Sequence, residues 1–407
     1  MLIGALVGTI LGFVAGLIPG IHSNTFSAII VANSAILSLY LSPEDLVAMI
    51  IASAISYTIT NIVPTIFIGV PSEDTAIAVL PTHEMVLEGK GFAALSISCV
   101  SSLLAVFISL PLFTTAVFIG QNYDFFRKIT PFVLLSISIL LTMSERGEEF
   151  EGSLSAWRKR FYALLVFLVS GFLGVVALKN SALAEITPGG TVLLPMLTGL
   201  FGAPVLLLST LSSAKLPEQR LLFEFPDVYS VFRGTLAGFF VSIFPGISSG
   251  IATVLATLGE KGKEKYVSAL SSANTANAIL CFFMLITAGR TRSGAADALK
   301  SLKLIPDFLQ IAVLAIISGL FAFLATILIG YGFAKKLSSI DSRKLSILVF
   351  SFLIAIVLAF TGIFGLVIFA ISIPVGLSTA YLGVRRVNCM GCLIFPLMLY
   401  YFGLLKF

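Results

Sequence analysis

Residues 12–25 (GFVAGLIPGIHSNT) and 238–253 (GFFVSIFPGISSGIAT) are one element used twice. In each, an apolar run is broken by Pro-Gly and followed at once by small hydroxyl or amide residues. Pro19-Gly20 and Pro245-Gly246 free backbone groups that hydrocarbon cannot satisfy. Each break must therefore be buried in protein or line a polar cavity. Paired interrupted segments in corresponding halves point to the substrate site of a secondary transporter.

The surroundings of these breaks are membrane-like. The chain is 58% hydrophobic and 11% charged, with a mean hydropathy of +1.07, against about 25% charged in soluble proteins. Apolar runs of spanning length, about 20 residues, recur along it. The expected fold is all-α, a polytopic helical membrane protein with broken helices and 10–13 spans, multi-pass in the cell membrane. A β-barrel would need short alternating segments instead. The first apolar run lacks a basic flank and the first cationic side chain is Lys90, so no cleavable signal is expected. The net charge of +5 comes from short-loop clusters such as Arg158-Lys159-Arg160, Lys335-Lys336 and Arg385-Arg386. Such clusters mark a cytoplasmic face and anionic membrane lipid, not nucleic acid. Cys389 and Cys392 resemble half of a metal site, but no second pair or nearby His completes it. No GxxxxGK[ST] sequence occurs, so the chain is not itself the ATPase of a pump. No cofactor and no enzymatic nucleophile–base pair are expected.

The two breaks lie 226 residues apart (245 minus 19). Ser56-Tyr57-Thr58-Ile59-Thr60-Asn61 answers Ser272-Ala273-Asn274-Thr275-Ala276-Asn277 at an offset of 216 (272 minus 56). An odd number of crossings between the breaks would invert the second copy, giving inverted halves over residues 1–145 and 228–383 of a single transmembrane domain, 1–407, with a site near the midplane. Pro-Gly kinks that merely shape the bundle are the plainer alternative. Counting both halves of each broken element as crossings puts most of the 25 Lys and Arg on one face. Counting them as re-entrant weakens the bias, so orientation stays open.

Charges are almost absent from the spans, which argues against a carboxylate proton relay. A coupling ion, Na⁺ or H⁺, would find backbone carbonyls and hydroxyl or amide oxygens instead. The substrate-site residues expected are Pro19, Gly20, His22, Ser23, Asn24, Thr25, Thr58 and Asn61 in the first half. Their counterparts are Pro245, Gly246, Ser248, Ser249, Asn274 and Asn277, with Thr60 and Thr275 beside them. Helices that begin after each break turn N–H groups and a positive dipole end toward it, which favours an anion. His22 could donate to that anion or serve as an ordinary hydrogen-bonded turn residue. Arg290 and Arg292 could clamp a carboxylate or phosphate, with Glu73 or Asp74 as balancing charges. Ordinary loop-end charges are the alternative for all four.

At these residues the chain resembles the large membrane subunit of tripartite tricarboxylate transporters, the TctA-type family. The resemblance lies in Gly16 to Gly20, Ser56 to Ser72, Gly238 to Gly250 and Ser272 to Asn277, and in Pro81-Thr82-His83-Glu84-Met85 and Gly89 to Leu95. Pro71-Ser72 and Ala288-Gly289 depart from that family's Pro-Gly turns, and Ser271 stands where an acidic residue is expected. The resemblance implies a cation-coupled carrier of small organic anions, with a small membrane subunit and an extracytoplasmic binding protein as partners. A polyprenyl-phosphate translocase is the alternative, because residues 244–250 (FPGISSG) also resemble a flippase signature.

Overall fold

The computed structural model describes the chain except residues 19–22, 70–74, 76–77, 146–151, 188–189, 212–215, 245–248, 258–261, 340 and 407, and except the side chains of residues 23, 25, 80, 152–153, 211, 249–250 and 342. The described residues form helices. The first half contains α1 Leu2–Leu17, α2 Ser23–Ala32, α3 Ser34–Leu37, α4 Pro43–Thr60, α5 Ile62–Phe67, α6 Val79–Leu87, α7 Gly91–Ser109, α8 Phe113–Gln121 and α9 Tyr123–Met143. Then come α10 Gly152–Lys179, α11 Leu193–Leu197 and α12 Ala203–Leu211. The second half contains α13 Val228–Ile243, α14 Ser249–Thr257, α15 Lys263–Ala288, α16 Gly294–Ser301, α17 Phe308–Leu337, α18 Ser342–Tyr381 and α19 Gly391–Tyr401.

Polar side chains set the helix starts. Ser42 accepts from the Asp45 amide ahead of Pro43, Asp227 caps α13, Ser293 caps α16, and Asp307 with Gln310 forms a capping box on α17. Each satisfies an amide that a helix start leaves orphaned. Asp45 does more, because it also pairs with the Met1 ammonium at 2.7 Å and accepts from the Gly4 amide at 2.9 Å. It pins the starts of α1 and α4 to one end of the bundle.

From that pin the two helices run in the same direction. A Cβ on Gly4, Gly8 or Gly12 would fall within 2.3 Å of the carbonyl oxygen of Asp45, Met49 or Ser53 respectively. Both series advance by four residues, so α1 and α4 are parallel with their backbones in direct contact, as small residues allow between membrane helices. The same device recurs in α13 and α15, where Gly234 meets Ala269 and Gly238 meets Ala273. Sixteen residues of helix rise only about 24 Å, short of the roughly 30 Å hydrocarbon core. With Met1 and Pro43 at one end, the chain between Leu17 and Ser42 must return to that end. α1 and α2 are therefore the arms of one hairpin, and α13 and α14, which pack against each other ahead of α15, are the arms of a second.

α4 and α15 run in opposite directions. Lys90 pairs with Glu264 at 3.4 Å and Phe67 borders Gly91, so the end of α5 and the start of α15 share the far end of the bundle. The most apolar window of Pro43–Phe67 is entirely buried and that of Lys263–Ala288 is 83% buried, against 39% for Tyr123–Met143 and for Arg343–Tyr381. The first pair is the centre and the second the lipid-facing periphery.

Eight described helices are long and apolar enough to cross a membrane. The longest, Arg343–Tyr381, doubles back. Its Phe350 and Phe369 rings lie 6.0 Å apart, although 19 residues of continuous helix would separate them by about 28 Å. The turn is at Gly362, with φ 63° and ψ −160°, a region open essentially to glycine alone. That makes nine passes among the described residues, beside the shorter apolar helices Leu2–Leu17 and Val228–Ile243. Gly362→Ala should cost about 1–3 kcal/mol and lower the melting temperature of the purified protein in detergent. An unchanged melting temperature would contradict a strained turn there.

Candidate functional site

The central helices bring the repeated polar segments together. The Asn274 side-chain amide faces the Thr58 carbonyl oxygen at 3.5 Å, the long limit of a hydrogen bond. These two residues occupy matching positions in the repeated segments, 216 apart. Asn274 is 3% exposed and Thr58 6% exposed, so the contact lies inside the bundle.

Asn61, 3% exposed, sits one turn further along, where α4 passes into α5. Its backbone oxygen accepts from the Thr65 hydroxyl at 3.3 Å. Beside it the Thr60 and Thr326 hydroxyls are 3.0 Å apart, tying α4 to α17. A Cβ on Gly16 would meet Thr60 and the Asn61 amide nitrogen, so the end of α1 reaches the depth of this polar step. On the other side, the Ser98 and Ser271 hydroxyls bond at 2.7 Å, linking α7 to α15. Thr275 is fully buried, and its hydroxyl oxygen has no hydrogen-bond partner among the described residues. Asn277 is half-buried with its side-chain oxygen 3.9 Å from the Cys281 sulfur.

Two further contacts connect the hairpins to the segment after α15. Asn24, at the start of α2, packs against Gly294, where a Cβ would lie 2.7 Å from the Asn24 Cγ. Arg292 donates through Nη2 to the Ile243 carbonyl at 2.9 Å and to the Tyr123 hydroxyl. Ile243 is the last residue of α13, two before Pro245, so Arg292 reaches the edge of the second break. Both contacts run from one strand of chain, residues 292–294, to the two hairpins.

Of the other site residues expected from sequence, Pro19, Gly20, His22, Pro245, Gly246 and Ser248 lie outside the described residues, as do Glu73 and Asp74. Ser23, Thr25 and Ser249 begin helices, but their side chains lie outside the description. Arg290 is at the bundle end, exposed, with its guanidinium 5.7 Å from the Tyr123 ring centroid. It does not join the central polar step.

Sequence reasoning missed a basic cavity of about 980 Å³ at the end of the bundle that carries Ala288. Arg127, Lys128, Arg290, Arg292, Lys300 and Lys406 line it with Tyr123, Tyr400 and Tyr401, and Asp124 is its sole acidic lining side chain among the described residues. The adjacent pair Arg127-Lys128 was the available signal, but Lys406 and Arg292 are far from it in sequence.

Comparison with known proteins bears on what such an arrangement serves. Residues 2–391 match the tripartite tricarboxylate transporter TctA family. The chain belongs to that family. This TctA-family chain is also 26% identical over 396 residues to an uncharacterized protein of Methanocaldococcus jannaschii, covering 94% of each chain. No solved structure matches it. It is thus a multi-pass membrane protein of a transporter family, and its site must be read from its own residues.

Proposed function

We propose that this TctA-family chain is the permease of a tripartite system, a cation-coupled carrier of small organic anions, di- or tricarboxylates, in the cell membrane. The observation that carries this reading is the meeting of matched polar positions, Thr58 and Asn274, between oppositely directed central helices. Two elements related by a two-fold axis meet at equivalent residues only where they lie on that axis. Five long apolar segments lie between the two hairpins, Pro43–Phe67 through Leu193–Thr210. An odd number supports an inverted-topology repeat over residues 1–145 and 228–383, with the site on the axis between broken elements.

The starts of α2 and α14 supply what an anion needs. α2 and α14 begin after the breaks, so their N-terminal dipole ends and amides favour negative charge. Buried Asn61 and Thr275 offer amide and hydroxyl oxygens suited to a sodium ion better than to a proton relay. The far end of the bundle, with Lys90, Arg158-Lys159-Arg160, Lys263 and Lys335-Lys336, is assigned to the cytoplasm by its excess of cations. A small membrane subunit and an extracytoplasmic binding protein would complete the system.

Asn61→Ala and Asn277→Ala should each lower carboxylate uptake into proteoliposomes about two- to tenfold, equivalent to 0.5–1.5 kcal/mol for a lost hydrogen bond. Unaltered elution as a folded monodisperse species is expected for both. Unchanged uptake in both variants would remove the proposed polar site.

A further inference from the structure

We infer that the basic cavity is an anion-receiving vestibule, a second binding site for a multiply charged carboxylate at the mouth of the route to the breaks. It rests on the reading of the chain as a carboxylate carrier and adds a place where the anion waits before translocation.

The charge balance is the first argument. Among the described residues, six cationic side chains line about 980 Å³ with one carboxylate side chain, six minus one leaving five positive side-chain charges. Like charges gathered in one concavity repel each other, and low-dielectric walls strengthen their common field. A multivalent anion relieves that repulsion. The volume lies in the range of small-molecule sites, about 300–1,000 Å³.

The second argument is how the cations are held. Tyr123 is buried and carries two guanidinium groups, Arg292 at 5.1 Å and Arg290 at 5.7 Å from its ring centroid. Lys300 is tethered to the Gly289 carbonyl at 2.8 Å. Arg127 and Lys128, one turn along α9 from Tyr123, are exposed toward the cavity. The third argument is connection. Arg292 both lines the cavity and bonds the carbonyl of Ile243, the last residue of α13, so one cation of the vestibule is tied directly to the helix that leads into the second break. The Nε of Arg292 is buried without a partner among the described residues.

The test uses Arg127→Gln/Lys128→Gln, which leaves Tyr123, Arg292 and Lys300 in place. Binding of radiolabelled citrate to the purified full chain is measured by equilibrium dialysis at about 20 mM and about 500 mM salt, and uptake KM in phosphatidylcholine vesicles. The variant should bind citrate at least tenfold more weakly at low salt and raise KM by a similar factor with kcat held within twofold. The gap should close at high salt, where the screening length falls to a few Å. Uptake by both proteins with the same KM and salt dependence overturns the vestibule and leaves the carrier reading standing. Low-salt citrate binding that the variant loses, with no wild-type uptake even when the small membrane subunit and the binding protein are supplied, keeps the vestibule and rejects the carrier. Displacement of citrate by phosphatidylglycerol added to the vesicles makes the cavity a lipid headgroup site and overturns the proposal.

Discussion

Gly12→Leu and Gly238→Leu should both fail to yield folded protein, and Gly12→Ala should already cost about 1–3 kcal/mol or more, the range of overpacking in a close-packed interior. The reason is what stands opposite. A Cβ at Gly12 would lie 2.1 Å from the Ser53 carbonyl oxygen, and at Gly238 2.5 Å from that of Ala273. Both obstacles are helix backbone, which cannot rotate aside as a side chain could. Gly332→Ala is the control, because nothing lies within 4 Å of its Cβ position in α17. There alanine should stabilise by about 0.5–1 kcal/mol through lost backbone freedom in the unfolded chain. Fluorescence-detected size exclusion and thermal melts in detergent read these four variants and Gly238→Ala. Normal melting of Gly12→Ala together with Gly238→Ala would mean that the paired helices are not in backbone contact.

Arg292→Ala should reduce carboxylate transport by roughly ten- to more than a hundredfold, corresponding to loss of a charged hydrogen bond of about 1.5–3 kcal/mol. Arg292 joins the residues after α15 to Ile243 and Tyr123, and no other described side chain makes that link. Arg292→Lys keeps the charge but loses the planar fork that serves two acceptors at once. It should therefore recover only part of the activity. Full activity of Arg292→Lys would reduce the residue to a point charge in the cavity, and full activity of Arg292→Ala would remove it from the mechanism.

What the sequence made legible follows from the physics of hydrocarbon. Composition alone fixed the class, because 11% charge over 407 residues leaves no soluble alternative. The two Pro-Gly breaks and the segments around Asn61 and Asn277 were visible because polar residues inside apolar runs need a reason. The glycines at four-residue spacing in α1 do not name their partners. Only the structure reveals that Gly4, Gly8 and Gly12 face Asp45, Met49 and Ser53 in parallel, and hence that the hairpin returns to its own side. The doubling back of α18 likewise rests on the backbone conformation of Gly362, which the sequence does not display. The basic cavity escaped for a different reason. Its cations come from residues 127–128, 290–300 and 406, each an ordinary interfacial charge in its own context. Their convergence is a property of the fold, not of any local pattern.

The most direct test of the account is the thermal stability of the purified protein against citrate, succinate and a short-chain polyprenyl phosphate, each with and without Na⁺. A ligand at about 100 times its dissociation constant adds about 2.7 kcal/mol to a reversible folding equilibrium. Stabilisation by a di- or tricarboxylate that grows with Na⁺ is the predicted result. Stabilisation by the lipid phosphate alone, or by neither carboxylate under any condition, would contradict a cation-coupled carboxylate site between the two hairpins.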